Sequence, residues 1–521
     1  MGILNQNGSD FVRGVDFALK KTGNTEETIK TSTAASTLAV VYEAARNAVE
    51  FRSDHLIRQA AIVRILRRRL FLGQKSEKLA PLLIRELIWA RYLKDDFVGV
   101  GKADDIEEII NKYRIVFSLT KDRVLREWLL DLAGCEIEES LVFNPYPQLL
   151  INFVSASMQS RIKIFGVEDE KIRDIQVYIA TERVFAKNSE IFITFHLLKA
   201  LHPEWFGKKA AEAAKFFPTL LIIKQEIDRD LQYPLAQDIK REITRLIAPF
   251  NVIREMVVRN PENFEANVAD REKFNELAKE TLEGLYKENR GRLMRASTRS
   301  IIYIFLTKMV FALALELPFD LFVGTTNYVA LGINLIFPPS LMFLLNIGIR
   351  IPGEENTKRI LEKVDEYLYE EKTPRIIEVG KRQKAKSVFE RIFLGIYSIL
   401  FVGVFVFIIW ALNLLHFNPV SQAIFLFFLC VVSFFAFRVK SISRDYVYQE
   451  ERTGFFASLL DFLFLPVVKV GQWLSVQISR LNVLGFIFDF IIEAPLKAFL
   501  EVIEEWVRFV RVKKDEIFTQ S

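Results

Sequence analysis

Cysteine and histidine are scarce in this 521-residue chain, which holds two Cys and four His. Cys135 and Cys430 lie far apart, and His55, His196, His202 and His416 are scattered without any H-E-x-x-H or comparable ligand spacing. A disulfide scaffold, a Cys-rich zinc module and a motif-defined metal enzyme are therefore excluded, and neither metal nor cofactor is expected. The histidines read as ordinary surface or core imidazoles. Sixteen Pro and 22 Gly are too few for a collagen-like or low-complexity chain. Nucleotide and nucleophile motifs are missing too. Gly99-Val100-Gly101-Lys102-Ala103 lacks the first Gly and the Ser/Thr of a phosphate loop, and no G-x-S-x-G elbow occurs. No catalytic role is indicated. Lys and Arg exceed Asp and Glu only by 70 to 65, so no nucleic-acid partner is expected. Met1–Phe11 has neither the basic nor the apolar region of a cleavable signal peptide.

The most informative absence is of charge. Leu321–Ile349 runs 29 residues without Asp, Glu, Lys or Arg, and Ile392–Phe437 runs 46. Crossing about 30 Å of hydrocarbon takes about 20 apolar helical residues. The longer run thus reads as a hairpin of two spans turning at Asn418-Pro419. The shorter run supplies one span near Tyr328–Ile349, preceded by a charged candidate at Ile301–Leu317. A soluble core helix rarely stays apolar on every face for so long. Arg290, Arg292, Arg295 and Arg299 precede the first span, and the segment Arg350–Arg391 carries eleven basic residues. The turns 318–328 and 416–422 carry none, and Arg438, Lys440 and Arg444 come after the last span. This alternation places both termini and every sizeable polar segment in the cytoplasm.

The fold expected is all-α: a large helical cytoplasmic region, a polytopic membrane region of about four spans, and amphipathic C-terminal helices. Residues 1–24 form a polar lead. Asn144-Pro145-Tyr146-Pro147 divides a helical unit at 25–143 from another at 148–290, with helices over 77–94, 104–118, 122–141, 170–187, 190–201, 208–231, 236–258 and 270–289. Ser160–Val167 alternates like a short strand. The remaining divisions are a first membrane hairpin at 300–349, a basic connector at 350–391, a second hairpin at 392–437 and an interfacial tail at 453–521. In the tail, polar residues recur at helical spacing opposite Trp473 and Trp506, as in helices that lie in the headgroup layer.

Two sets of residues stand out. Lys308 lies inside the first candidate span with Glu316 eight residues later, then Asp320 and, in the next span, Asn334 and the tandem Pro338-Pro339. On one straight helix Lys308 and Glu316 share a broad face about 12 Å apart in rise and do not touch. Ionisable groups at such depth face a bundle interior or water, and the two prolines should break the span. The second set, Lys381, Arg382, Lys384 and Lys386, abuts a span and suits anionic headgroups of the lipid bilayer. Three readings are compatible with these residues. The first is a membrane protein whose cytoplasmic helices form a scaffold or adaptor for a protein partner of unknown identity. The second is a small-ion or solute transporter or channel using Lys308 and Glu316. The third is a membrane enzyme on a lipid-linked substrate, for which no nucleophile can be nominated.

Overall fold

The computed structural model describes residues 3–21, 54–71, 78–93, 100–312, 316–323, 328–347, 353–369, 375–380, 388–442, 446–448 and 455–480. These residues are predominantly helical, with a single pair of three-residue strands. The first group of helices is α1 (Gln6–Lys21), α2 (Asp54–Phe71), α3 (Leu79–Trp89), α4 (Val100–Ser118), α5 (Arg123–Leu141) and α6 (Pro145–Gln159). After β1 (Ile162–Ile164) come α7 (Glu170–Thr181), α8 (Glu190–Leu201), α9 (Ala210–Leu231), α10 (Ala236–Leu246), α11 (Ala248–Arg259) and α12 (Phe264–Ala269).

Local chemistry accounts for many boundaries. Asp122 and Asp169 start α5 and α7 by accepting the Val124 and Lys171 amides. Asn144 does the same for Tyr146, with Pro145 preset at the first helical position, so the break at this site is a helix start. The expected helix over 236–258 is two helices, because Pro249 cannot donate into the ladder of α10. Val100-Gly101-Lys102-Ala103, part of the segment that lacks a phosphate-loop motif, forms the first turn of α4. Residues 6–21 form α1 despite Gly8 and Gly14. A Cβ on Gly8 would lie 2.6 Å from the Leu368 carbonyl oxygen, so glycine is what lets this helix dock.

Two apolar cores result, and they interleave in sequence. Core 1 gathers α2 to α5 with Phe192, Phe195, Trp205 and Leu220 from farther along the chain. Core 2 joins Phe11 and Val15 of α1 to Ile151, Val154, Phe250 and Ile253, and also to residues far downstream. Helix α7 is shared: Ile179 belongs to core 1, while Val177 and Ala180 belong to core 2. In core 1, Arg67 pairs with Glu127, and Arg68 and Arg69 both reach Glu86, so the densest basic run is tied into its own helical neighbours. The Asp131 carboxyl is pushed up to about 6 by burial, with Arg67 pulling it back. A carboxyl raised on folding opposes stability above pH 6, and that cost disappears as pH falls toward its unfolded value near 4. Asp131→Asn is therefore expected to stabilise the chain by about 1 kcal/mol at pH 8, a figure reduced for partial exposure. The gain should vanish in thermal melts near pH 4.

Beyond Asp270 the chain enters α13 (Arg271–Phe311), a single helix of 41 residues and about 60 Å. Phe274, Ala278 and Leu282 bury one end in core 2, and Ile304 packs on Met342 and Val432 at the other. The candidate first span is thus the far end of a helix rooted in core 2. Next in the chain are α14 (Leu317–Val323), α15 (Tyr328–Ile347), α16 (Glu354–Leu368), β2 (Ile377–Val379), α17 (Val388–Leu414), α18 (Pro419–Ile442) and α19 (Phe455–Arg480). Strand β2 pairs in parallel with β1, Ile162 facing Ile377, and Ile360, Val364, Tyr367 and Leu368 of α16 lie in core 2. The first part of the segment read as a connector is therefore a structural part of that core.

Among the described residues one helix is long and apolar enough to cross a membrane, Leu394–Leu414 within α17. Shorter apolar stretches occupy Val329–Leu344, Pro419–Phe435 and Phe462–Leu474. Helix α15 continues through Pro338-Pro339, contrary to the expected break. The missing donors release the carbonyls of Asn334 and Leu335, and packing against α13 and α18 holds the helix in line. Helix α19 also departs from expectation. It runs along α18, with Gly471 so close that a Cβ would lie 1.9 Å from the Cys430 carbonyl oxygen. Close backbone approach through a small residue is helix–helix packing, and this part of the tail is a bundle member. The rest of the tail, including Trp506, lies outside the described residues.

Candidate functional sites: a buried ion pair and a polar cleft

Lys308, Glu316 and Asn334 converge in the bundle, each with no exposed surface. The Lys308 ammonium donates to Glu316 Oε1 at 2.5 Å, and the Asn334 amide donates to the same oxygen at 2.8 Å. Lys308 also lies 4.9 Å from the centre of the Phe428 ring. The pair touches, contrary to the straight-helix expectation. Helix α13 ends at Phe311, and Ala312 and Glu316 are π-helical, so the geometry of a straight α-helix does not hold from Lys308 to Glu316. Glu316 Oε2 and Asn334 Oδ1 have no hydrogen-bond partner among the described residues. Asp320 is carried by α14, and its side chain is outside the described set. Lys381, Arg382, Lys384 and Lys386 all lie outside the described residues.

Core 1 contains a second buried ion pair that the sequence did not single out. Lys112 of α4 donates to Glu136 of α5 at 2.5 Å, and the Tyr113 hydroxyl donates to the other carboxylate oxygen at 2.8 Å. Trp205 donates to Tyr113 and stacks near the ammonium. Every polar atom here has a partner inside a closed aromatic box, so its role is to join α4 and α5.

A different arrangement lies where the two cores meet. Helix α7 ends in one π-helical turn, Glu182–Ala186, after which Lys187 sits in the left-handed region at φ 55°. Such turns insert an extra residue into the helix and re-aim the side chains beyond it. Here the turn buries the Glu182 carboxylate completely. Among the described residues no Lys or Arg pairs with this carboxylate, which meets the His196 ring, whose Nδ1 lies 2.8 Å away, the Asn188 amide at 2.6 Å and the Tyr178 hydroxyl. The Asn188 side-chain oxygen in turn faces His55 Nε2 at 2.8 Å. Burial holds the His55 pKa below its ordinary value, and nearby Arg58 adds to this against the Asn188 hydrogen bond. Close by, Arg58 donates twice to Glu138 Oε1. Burial raises the Glu138 carboxyl above the usual carboxylate range, with Arg58 opposing.

These groups line a cleft of about 670 Å³, within the size range of small-molecule sites. Asp54, His55 and Arg58 come from α2, Glu138 and Glu139 from α5, and His196 from α8. The facing wall is formed by α6 and α11. Sequence spacing could not reveal the cluster, since its members are distributed across four elements and the π turn that joins them has no sequence signature. Among the described residues no group of three or more His, Cys, Asp or Glu is arranged to hold a metal ion. No protein-family model matches the chain, and no curated protein or solved structure shows significant similarity to it.

Proposed function

We propose that the chain is an integral membrane protein in which α13, α15, α17, α18 and α19 form a bundle in the bilayer. This bundle holds the two-core helical region at the cytoplasmic face as a scaffold or adaptor for a protein partner. One observation carries the membrane assignment. Leu394–Leu414 has a mean hydropathy of 2.5, and of its residues only Leu412 is buried against the rest of the protein. A soluble core helix would be covered, and a signal sequence would sit near the N-terminus. Ile399, Val402, Val406, Phe407 and Trp410 each keep more than half of their surface open. Moving five such side chains from water into hydrocarbon gains on the order of 10 kcal/mol, as much as the whole stability of many domains. Basic residues around the bundle support the cytoplasmic placement, and α13 supports a fixed mounting of core 2 on the bundle.

Membranes washed with alkaline carbonate should retain the chain, and detergent should release it. Release by carbonate alone would refute the assignment. Sidedness can be read with single introduced cysteines, because both native thiols are buried. A membrane-impermeant maleimide should label His416→Cys from outside intact cells and Lys358→Cys only in inverted vesicles.

The two oxygens without donors, Glu316 Oε2 and Asn334 Oδ1, favour a second reading in which the bundle passes a small ion or solute. Lys308 argues against a resident cation, since its ammonium already neutralises Glu316. Flux in proteoliposomes that is lost in the folded Lys308→Met/Glu316→Gln double variant would support transport. An absence of flux in the unaltered chain would leave the pair as a structural lock.

A further inference from the structure

The cleft at the meeting of the two cores is lined by more carboxylates than guanidiniums, Asp54, Glu138 and Glu139 against Arg58 and Arg254. The Asn188 amide nitrogen is committed to Glu182, so the Asn188 oxygen is the atom facing His55. His55 therefore carries its proton on Nε2 and keeps a lone pair on Nδ1. Glu138 uses only Oε1 on Arg58, and Glu139 uses only Oε1 on Lys199, which leaves one oxygen open on each. The Asp54 carboxylate, at the mouth, has no partner among the described residues. On the donor side, Arg254 already gives one bond to the Phe185 carbonyl at 3.3 Å and lies over the Phe185 ring. Opposite the acceptors, Tyr146, Leu150, Ile151, Val257, Val258 and Pro261 present carbon.

We infer that this cleft binds an organic cation, an ammonium or guanidinium group on an apolar body. The head seats against Glu138, Glu139 and His55, and the carbon portion lies along α6 and α11. Arg58 already illustrates the head-group chemistry, because two N–H groups of its guanidinium converge on Glu138 Oε1. An anionic guest would meet three carboxylates, and the two guanidiniums facing it already bond to Glu138 and to the Phe185 carbonyl. A neutral apolar guest would leave the open acceptors dry and unpaired. This inference deepens the reading of the cytoplasmic region as a binding module and rests on it. Its ligand could be a free amine or the Lys or Arg side chain of a partner, and the test separates the two.

The test uses the detergent-solubilised full chain at pH 7.5, so its outcome does not depend on retention in carbonate-washed membranes. Binding of n-hexylammonium, n-hexanoate and n-hexanol is measured by saturation-transfer NMR and calorimetry. Saturable binding of hexylammonium alone is expected, weakened at least tenfold in Asp54→Asn/Glu139→Gln, whose changes are at partly exposed positions and should leave the melting temperature near that of the unaltered chain. Glu138→Gln should weaken it further. A capped Leu-Lys-Leu peptide supplies the second arm. Tighter binding of the peptide assigns the site to a partner's side chain, and tighter binding of hexylammonium to a free amine. Hexanoate binding as well as hexylammonium, or hexylammonium binding that is unsaturable or unchanged in the variants, would overturn the inference.

Discussion

Replacing Lys308 by methionine is expected to destabilise the chain by about 3–5 kcal/mol, the range found when one partner of a buried ion pair is removed. Methionine matches the length of the lysine stem, so the loss reports the charge. Glu316 would keep the Asn334 amide but face hydrocarbon without its cation. The double variant Lys308→Met/Glu316→Gln should recover most of the loss, because it removes both charges and retains an acceptor for Asn334. Thermal unfolding in detergent of the two single variants and the double one completes the cycle. A Lys308→Met chain as stable as the unaltered one would mean that the ammonium contributes nothing to the bundle.

Gly471→Leu should separate α18 from α19. The clash falls on the backbone carbonyl of Cys430, with the Phe434 Cβ at 2.8 Å behind it, so no side-chain rotation relieves it. Overpacking of this kind costs about 1–3 kcal/mol for a small group and more for a large one. We expect a loss of about 3 kcal/mol or more for leucine and a smaller one for alanine. The buried Cys430 thiol supplies a local readout, since parted helices should let a maleimide reach it under conditions where the unaltered chain resists. Gly403→Leu is the matched control: a Cβ there meets nothing within 4 Å. Equal labelling in both variants would show that the close approach is not what holds α19.

Helices with strong apolar spacing and clear caps were legible in the residues, as Glu190–Leu201 and the Asp122-capped helix show. Lys308 and Glu316 stood out because charge is rare in an apolar stretch. What could not be read was geometry created at a distance. Helix α1 carries two glycines and a polar first turn, and it forms because Phe11, Val12 and Val15 find core 2. The contact between Lys308 and Glu316 depends on where α13 stops. The cleft depends on a π turn that buries Glu182, and no spacing rule anticipates that three dispersed polar residues, His55, Asn188 and His196, will be gathered around it.

Core 2 sets an order for biogenesis. Its members run from Phe11 to Tyr448, and the Asn5 amide and side chain both bond to carbonyls of α16 at Leu368 and Tyr367. The distal part of α13, α15, α17 and α18 all lie between those ends in the chain. At about 5–20 residues per second of synthesis, roughly 20–90 s separate the first core residue from the last. On the proposed membrane reading, the hydrophobic segments are inserted during that interval, while the domain beside them is still open. A ribosome stalled just after residue 347 should therefore display an N-terminal region that proteases digest readily, and release of the finished chain should close it.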